Sequence, residues 1–240
     1  MSDTFMLGYD YQWLSEQGDK LPLFAPLGHT ITVGGSNSGK STSVLYWLWK
    51  LKKYDCTLYI ADFKASHEFA GITAPERFAE YEACYQLILD YHSEFLSTPE
   101  GGDGTTRVLI IDEIAGLLTH FSMSKDGKAK ADEIRSIMSS ILMLGRSRKC
   151  FLWLVMQRYS ASIFPASSGS ADNFMTCVAL GRLTVDGRKG LFAGEHFEGE
   201  DELQFGQGRG IVLIDGQPLR ALIIPKVSKA KLLELLQGKG

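Results

Sequence analysis

The sequence has no long apolar run. Its longest strictly apolar stretch is Phe151 to Met156, far short of the roughly 18 residues a membrane helix needs, so no integral membrane segment is expected. The N-terminus, Met1 to Phe5, shows no basic stretch leading into an apolar one, so it does not read as a secretory signal, and a cytoplasmic chain is expected. Cysteine is scarce: Cys56, Cys84, Cys150 and Cys177 lie far apart with no C-x-x-C pair, which argues for reduced thiols over a metal or disulfide framework. There is no excess of positive charge either. Lys plus Arg is 25 against 28 for Asp plus Glu, so bulk attraction to nucleic acid is excluded and only a local basic patch is left open. Repeats, low-complexity segments and an [NT]-K-x-D guanine-reading motif are also missing. What is present is 240 residues, 45% of them hydrophobic, enough for one large domain with a sizeable core. We expect an N-terminal lead-in over residues 1–27 and a single domain over 28–240.

Apolar runs alternate with helical periodicity in a strand–helix order, the pattern of a mostly parallel central sheet flanked by helices. Strands are expected at Ile31 to Val33, Cys56 to Ala61, Arg107 to Ile111, Phe151 to Met156 and Thr176 to Leu180, with a terminal pair at Ile211 to Ile214 and Ala221 to Ile224. Val44, Leu45, Leu48 and Leu51 recur at helical spacing, and Ile134, Ile137, Met138, Ile141 and Leu142 form a second amphipathic stripe. Thr73 to Glu76 reads as a capping box opening a long helix through about Leu96. Ser122 to Lys130 is polar and reads as a flexible stretch. A short helix over Ser228 to Leu236 closes the chain.

Residues Gly34, Gly35, Ser36, Asn37, Ser38, Gly39, Lys40, Ser41 and Thr42 carry the pattern G-x-x-x-x-G-K-[ST] between an expected strand and an expected helix, the context its mechanism requires. The glycines let successive N–H groups converge on phosphate oxygens, and the helix N-terminus adds positive potential there. Lys40 would contact the β- and γ-phosphates, and the Ser41 hydroxyl would take one Mg²⁺ position. Mg²⁺ also needs a carboxylate, and hydrolysis a polarised water. Asp112 and Glu113, closing the run Val108 to Ile111, supply both: Asp112 for the metal's water shell and Glu113 for the attacking water. The bland alternative is that Asp112 caps the following helix. An adjacent carboxylate pair and the missing guanine motif favour ATP.

Beyond these motifs the sequence resembles the FtsK/HerA superfamily of ring-forming, DNA-pumping ATPases with RecA-like P-loop cores. The resemblance rests on His29 leading a strand into the phosphate loop, on Asp62-Phe63-Lys64 closing the next strand, on Arg107 to Ile114, on the stretch from Gly145 and Arg146 to Gln157 and Arg158, and on the turn Gly206 to Gly210. Phe63 stands for the family's proline, Ile114 for its phenylalanine and Met156 for its threonine. The resemblance implies that Gln157 senses the γ-phosphate or water, and that Arg146 is an arginine finger reaching into a neighbouring subunit. A solvated arginine at a helix end is the plainer reading of Arg146, and Arg148 or Arg158 could substitute for it. Asp62 and Lys64 read as partners of the Mg²⁺ site or as a strand-end ion pair.

The implied activity is ATP hydrolysis coupled to translocation of double-stranded DNA, with ATP and Mg²⁺ as cofactors. The implied assembly is a homo-oligomer, expected as a hexamer, with a docking partner on a capsid, a membrane or a transfer complex. Lys125, Lys128, Lys130 and Arg158 are candidate phosphate contacts, although a solvated surface loop explains the lysines equally well. A protein-secretion or pilus ATPase of the same superfamily would share these catalytic residues. A non-ring P-loop module would use the loop without a finger.

Overall fold

The computed structural model describes residues 3–166 and 168–238. In chain order it contains β1 (Thr4–Asp10), α1 (Tyr11–Gln17), β2 (Pro22–Pro26), β3 (Thr30–Gly34), α2 (Lys40–Leu51), β4 (Cys56–Asp62) and β5 (Phe78–Glu80). Then come α3 (Cys84–Ser97), β6 (Thr106–Asp112), α4 (Ile114–Ser122), α5 (Lys125–Arg148), β7 (Cys150–Met156) and β8 (Thr176–Leu180). The chain ends with α6 (Val185–Phe192), β9 (Arg209–Ile214), β10 (Arg220–Ile223) and α7 (Lys229–Leu236). No helix among the described residues is long and apolar enough to cross a membrane.

Two compact units result. The first comprises Met1–Lys53, Gln157–Tyr159 and Met175–Gly240, and the second Tyr54–Met156 and Ser160–Phe174. In the first unit the strand order is β2-β1-β10-β9-β8-β3. β3 and β8 are parallel, with Thr30 opposite Thr176 and Gly34 opposite Leu180. The remaining neighbours in this unit pair antiparallel, so residues 4–26, expected only as a lead-in, contribute β1 and β2 to its sheet. Every residue of β3 is buried, as befits a strand covered on both faces. α2 lays Val44, Leu45, Trp47, Leu48 and Leu51 inward, and the Trp47 indole donates to Leu7 O at 2.8 Å.

The second unit is wholly parallel, in the order β7-β6-β4-β5. β6 and β7 are buried along their full length, which explains the unbroken apolar runs Val108 to Ile111 and Phe151 to Met156 within them. All five apolar positions expected to stripe α5, from Ile134 to Leu142, are buried, and α5 packs on β7, α3 and α4. The stretch expected as flexible is ordered instead: Ser124 Oγ accepts from Gly127 N at 3.0 Å and opens α5 at Lys125. Its side-chain cap outweighs the polar, glycine-containing composition. The expected capping box at Thr73 opens no long helix, only a single 3₁₀ turn over Pro75–Arg77 without a side-chain cap. Phe78 to Glu80 pair with Ile60 to Asp62 as an edge strand, and the helix begins only at Cys84, because strand pairing there takes the backbone groups a helix would need.

Gly210 permits the closest approach in the first sheet, since a Cβ there would lie 1.8 Å from Ala179 O on β8. Gly210→Ala is expected to destabilise the protein by about 1–3 kcal/mol and to lower its thermal midpoint by several degrees, measured by calorimetry. An unchanged midpoint would contradict this close pairing of β8 and β9.

Candidate functional site

The phosphate loop lies in the first unit, between β3 and α2. Gly39 caps α2 in the left-handed region at φ 93°, where a side chain would be strained. A Cβ on Gly34 would meet Leu180 O at 2.5 Å and Ser38 Oγ at 2.6 Å. Both glycines of the motif are therefore required by space or backbone angle. The loop is anchored from outside as well: Gly208 N donates to Ser38 O, and Ile224 N to Gly208 O, each at 2.8 Å. That assigns a physical task to the Gly206 to Gly210 turn, which ties the loop to the end of β10. Lys40 Nζ donates to Gly34 O at 2.5 Å and Gly35 O at 2.9 Å, curling over the loop that a phosphate would fill. Gly35, Ser36 and Asn37 are exposed, and Ser41 and Thr42 half-buried at the head of α2. Beside them a cavity of about 490 Å³ is lined by Thr42, Ser43, Gln207, Gly208, Ile224 and Lys226 among others, within the range of small-molecule sites.

The acidic strand end lies in the second unit. Parallel register sets Asp112 opposite Asp62, and Asp62 opposite Glu80 on the other side. Asp62 is fully buried. Its Oδ2 accepts from Ser66 N at 3.1 Å and Ser66 Oγ at 3.0 Å, while its Oδ1 is buried without a hydrogen-bond partner. Burial raises the Asp62 carboxyl above its ordinary range. Burial also pushes Asp112 up to about 7, with the Asp62 carboxylate adding to the shift and Lys64 opposing it. Two carboxylates in a place poor in water cannot both ionise without a countercharge. This donor set fits Mg²⁺, which binds through one or two carboxylates and keeps several waters. Of the two readings of Asp62 and Lys64, the strand-end ion pair between them is not formed: Lys64 Nζ lies 2.5 Å from Glu113 Oε2 instead. Chain distance favoured the first pairing, whereas the turn after β4 and the left-handed backbone of Glu113 (φ 60°, ψ 49°) bring about the second.

Among the arginines, Arg148 is occupied. It donates to Leu96 O in the last turn of α3 and to Thr98 O just beyond it, and lies over the Phe95 ring. Arg146, in the last turn of α5, is exposed, as is Arg158. Gln157 follows β7 directly and is half-buried. Lys125, Lys128 and Lys130 are exposed on the first turns of α5, with Lys130 Nζ 5.0 Å from the centre of the Tyr85 ring.

Asp112 gives a pH signature in the absence of divalent metal. Its folded pKa lies above its ordinary 3.8, so folding favours the protonated form; that contribution is full below 3.8 and is lost as pH rises through about 7. Asp112→Asn should therefore be more stable than the parent above pH 7, by about 1–4 kcal/mol, with the gap closing towards pH 4 in urea titrations. A gap independent of pH would refute the shift.

No protein-family model matches the sequence, and no curated protein sequence is similar to it. Solved structures are similar. The cytoplasmic domain of the Thermomonospora curvata type VII secretion ATPase EccC superposes with a TM-score of 0.72 at 15% identity, over 98% of this chain and 30% of that one. The pCW3 conjugation coupling protein TcpA, a monomer form with ATPγS, gives 0.71 at 18% identity, over 98% of this chain and 74% of that one. The genome packaging NTPase B204 from Sulfolobus turreted icosahedral virus 2 gives 0.52 at 16% identity, over 84% of this chain and 98% of that one. The chain thus spans less than a third of that EccC chain, and it shares with these structures a RecA-like P-loop fold.

Proposed function

We propose that this chain is the motor core of a ring ATPase that hydrolyses ATP and translocates double-stranded DNA. The observation that carries the hydrolytic part is the buried Asp112 beside Glu113 at the end of β6, in a chain whose phosphate loop presents Lys40 and Ser41 at the head of α2. Lys40 leaves the carbonyls of Gly34 and Gly35 for the β- and γ-phosphates, the loop's N–H groups cradle the phosphates, and the neighbouring cavity takes base and sugar. Asp112 and Ser41 would hold Mg²⁺, which supplies charge neutralisation on the phosphates when bound. Glu113 accepts a proton from water as the water oxygen bonds to the γ-phosphorus. The bond from phosphorus to the β–γ bridging oxygen breaks, and ADP leaves with the electron pair. Gln157 would orient that water.

Arg146 is the better trans-acting finger because Arg148 is already spent on the carbonyls at the end of α3. A finger supplied by a neighbour requires an oligomer, which we take to be a homo-hexamer. A conjugation coupling protein and a genome packaging NTPase among the similar structures support DNA as cargo, with Lys125, Lys128, Lys130 and Arg158 as phosphate contacts. A docking partner on a capsid, a membrane or a transfer complex would then position the ring. The likeness to a type VII secretion ATPase favours protein cargo as the second reading.

Long duplex DNA should stimulate ATP turnover, and Lys40→Ala should lower turnover about 100-fold or more, the loss typical of removing one preorganised charge-stabilising group. Mixing Lys40→Ala subunits with Arg146→Ala subunits should restore part of the activity. Turnover indifferent to DNA and to Lys40→Ala would overturn the proposal, and mixtures that recover nothing would remove the shared site.

A further inference from the structure

Glu113, assigned above to the attacking water, is held at both ends. Its Oε2 lies 2.5 Å from Lys64 Nζ, with the glutamate side chain 13% and the lysine side chain 39% exposed. Its backbone is left-handed, a conformation that residues other than glycine adopt rarely. The side chain runs over Gly116, where a Cβ would come within 3.1 Å of both Glu113 Cγ and the Phe63 ring. The segment that presents Lys64 is pinned in turn. Asp62 is fixed by Ser66, and Phe63 stacks on Tyr81 with ring centres 5.5 Å apart and planes 13° from parallel. His120 closes on both rings, at 5.7 Å and 5.0 Å.

A carboxylate acts as a general base only when a lone pair is within reach of the proton it removes. The ammonium at 2.5 Å makes no aligned hydrogen bond to Oε2, but its charge fixes the direction in which the carboxylate, and with it the remaining lone pairs, points. We propose that Lys64 is a positioning residue that holds Glu113 in a resting orientation, and that hydrolysis requires this ion pair to open. The proposal rests on the assignment of Glu113 as the base. It makes the basal rate depend on one contact within a single subunit, on the strand end next to Asp112. The half-exposed lysine makes the restraint weak enough to release, since such pairs are worth little and are screened by salt.

The test is steady-state ATP turnover without DNA for the parent protein, Lys64→Met, Lys64→Arg and Glu113→Gln, each with its thermal midpoint. Lys64→Met should raise kcat about fivefold at unchanged KM, the factor equivalent to ~1 kcal/mol at 1.36 kcal/mol per tenfold. Lys64→Arg, which keeps the pair, should stay near the parent. The parent's basal kcat should rise with ionic strength while that of Lys64→Met stays flat, a response that a merely structural lysine would not give. If Glu113→Gln keeps parental turnover, the assignment of the base has failed. If Glu113→Gln is inactive while a normally folded Lys64→Met shows equal or lower kcat, the restraint is refuted. Should Lys64→Met melt early, a flat salt response of the parent refutes it independently.

Discussion

The parallel pairing of β4 with β6 places Asp62 directly opposite Asp112, and both carboxylates are buried. Much of the second unit's chemistry follows from this. Burial, and after it the neighbouring Asp62 carboxylate, disfavours the charged form, and Asp112 moves up to about 7. A divalent ion would let both ionise. Lys64, the nearby cation opposing the shift, is committed to Glu113 rather than to Asp62. The lysine therefore leaves the metal position available while occupying the residue next to it.

The first unit is constrained by space. Its loop can follow its path only because Gly34 and Gly39 lack side chains, and it is tied by Gly208 to the strand pair β9 and β10. With Lys40 donating to the carbonyls of Gly34 and Gly35, the ammonium is stored inside the loop. An incoming nucleotide must offer the lysine more than two carbonyl dipoles do, and phosphate oxygens meet that requirement. Tethering of the loop to the C-terminal strands also couples its shape to the cavity lined by Gln207, Gly208 and Ile224.

Much of this was legible in the sequence because the motifs are local. A strand, a glycine loop and a helix are contiguous, as are the apolar run and the carboxylates that end it, and the stripe on α5 obeys helical periodicity. The misreadings come from long-range pairing in two cases and from a local cap in the third. Nothing near Phe78 announces that it will be an edge strand beside Ile60, and nothing in Ser122 to Lys130 outweighs its polar composition except a side-chain cap. The Lys64–Glu113 pair joins residues distant in the chain through a left-handed glutamate, a backbone choice that composition does not reveal. Likewise Arg146 and Arg148 are equivalent in sequence, and only the carbonyls at the end of α3 separate them.

The central claim is that hydrolysis by this chain moves duplex DNA. Its most direct test is displacement of a third strand from a long duplex by the assembled protein with ATP. The account predicts displacement that requires ATP and stops when hydrolysis stops. ATP turnover at full rate with the third strand left in place would contradict it.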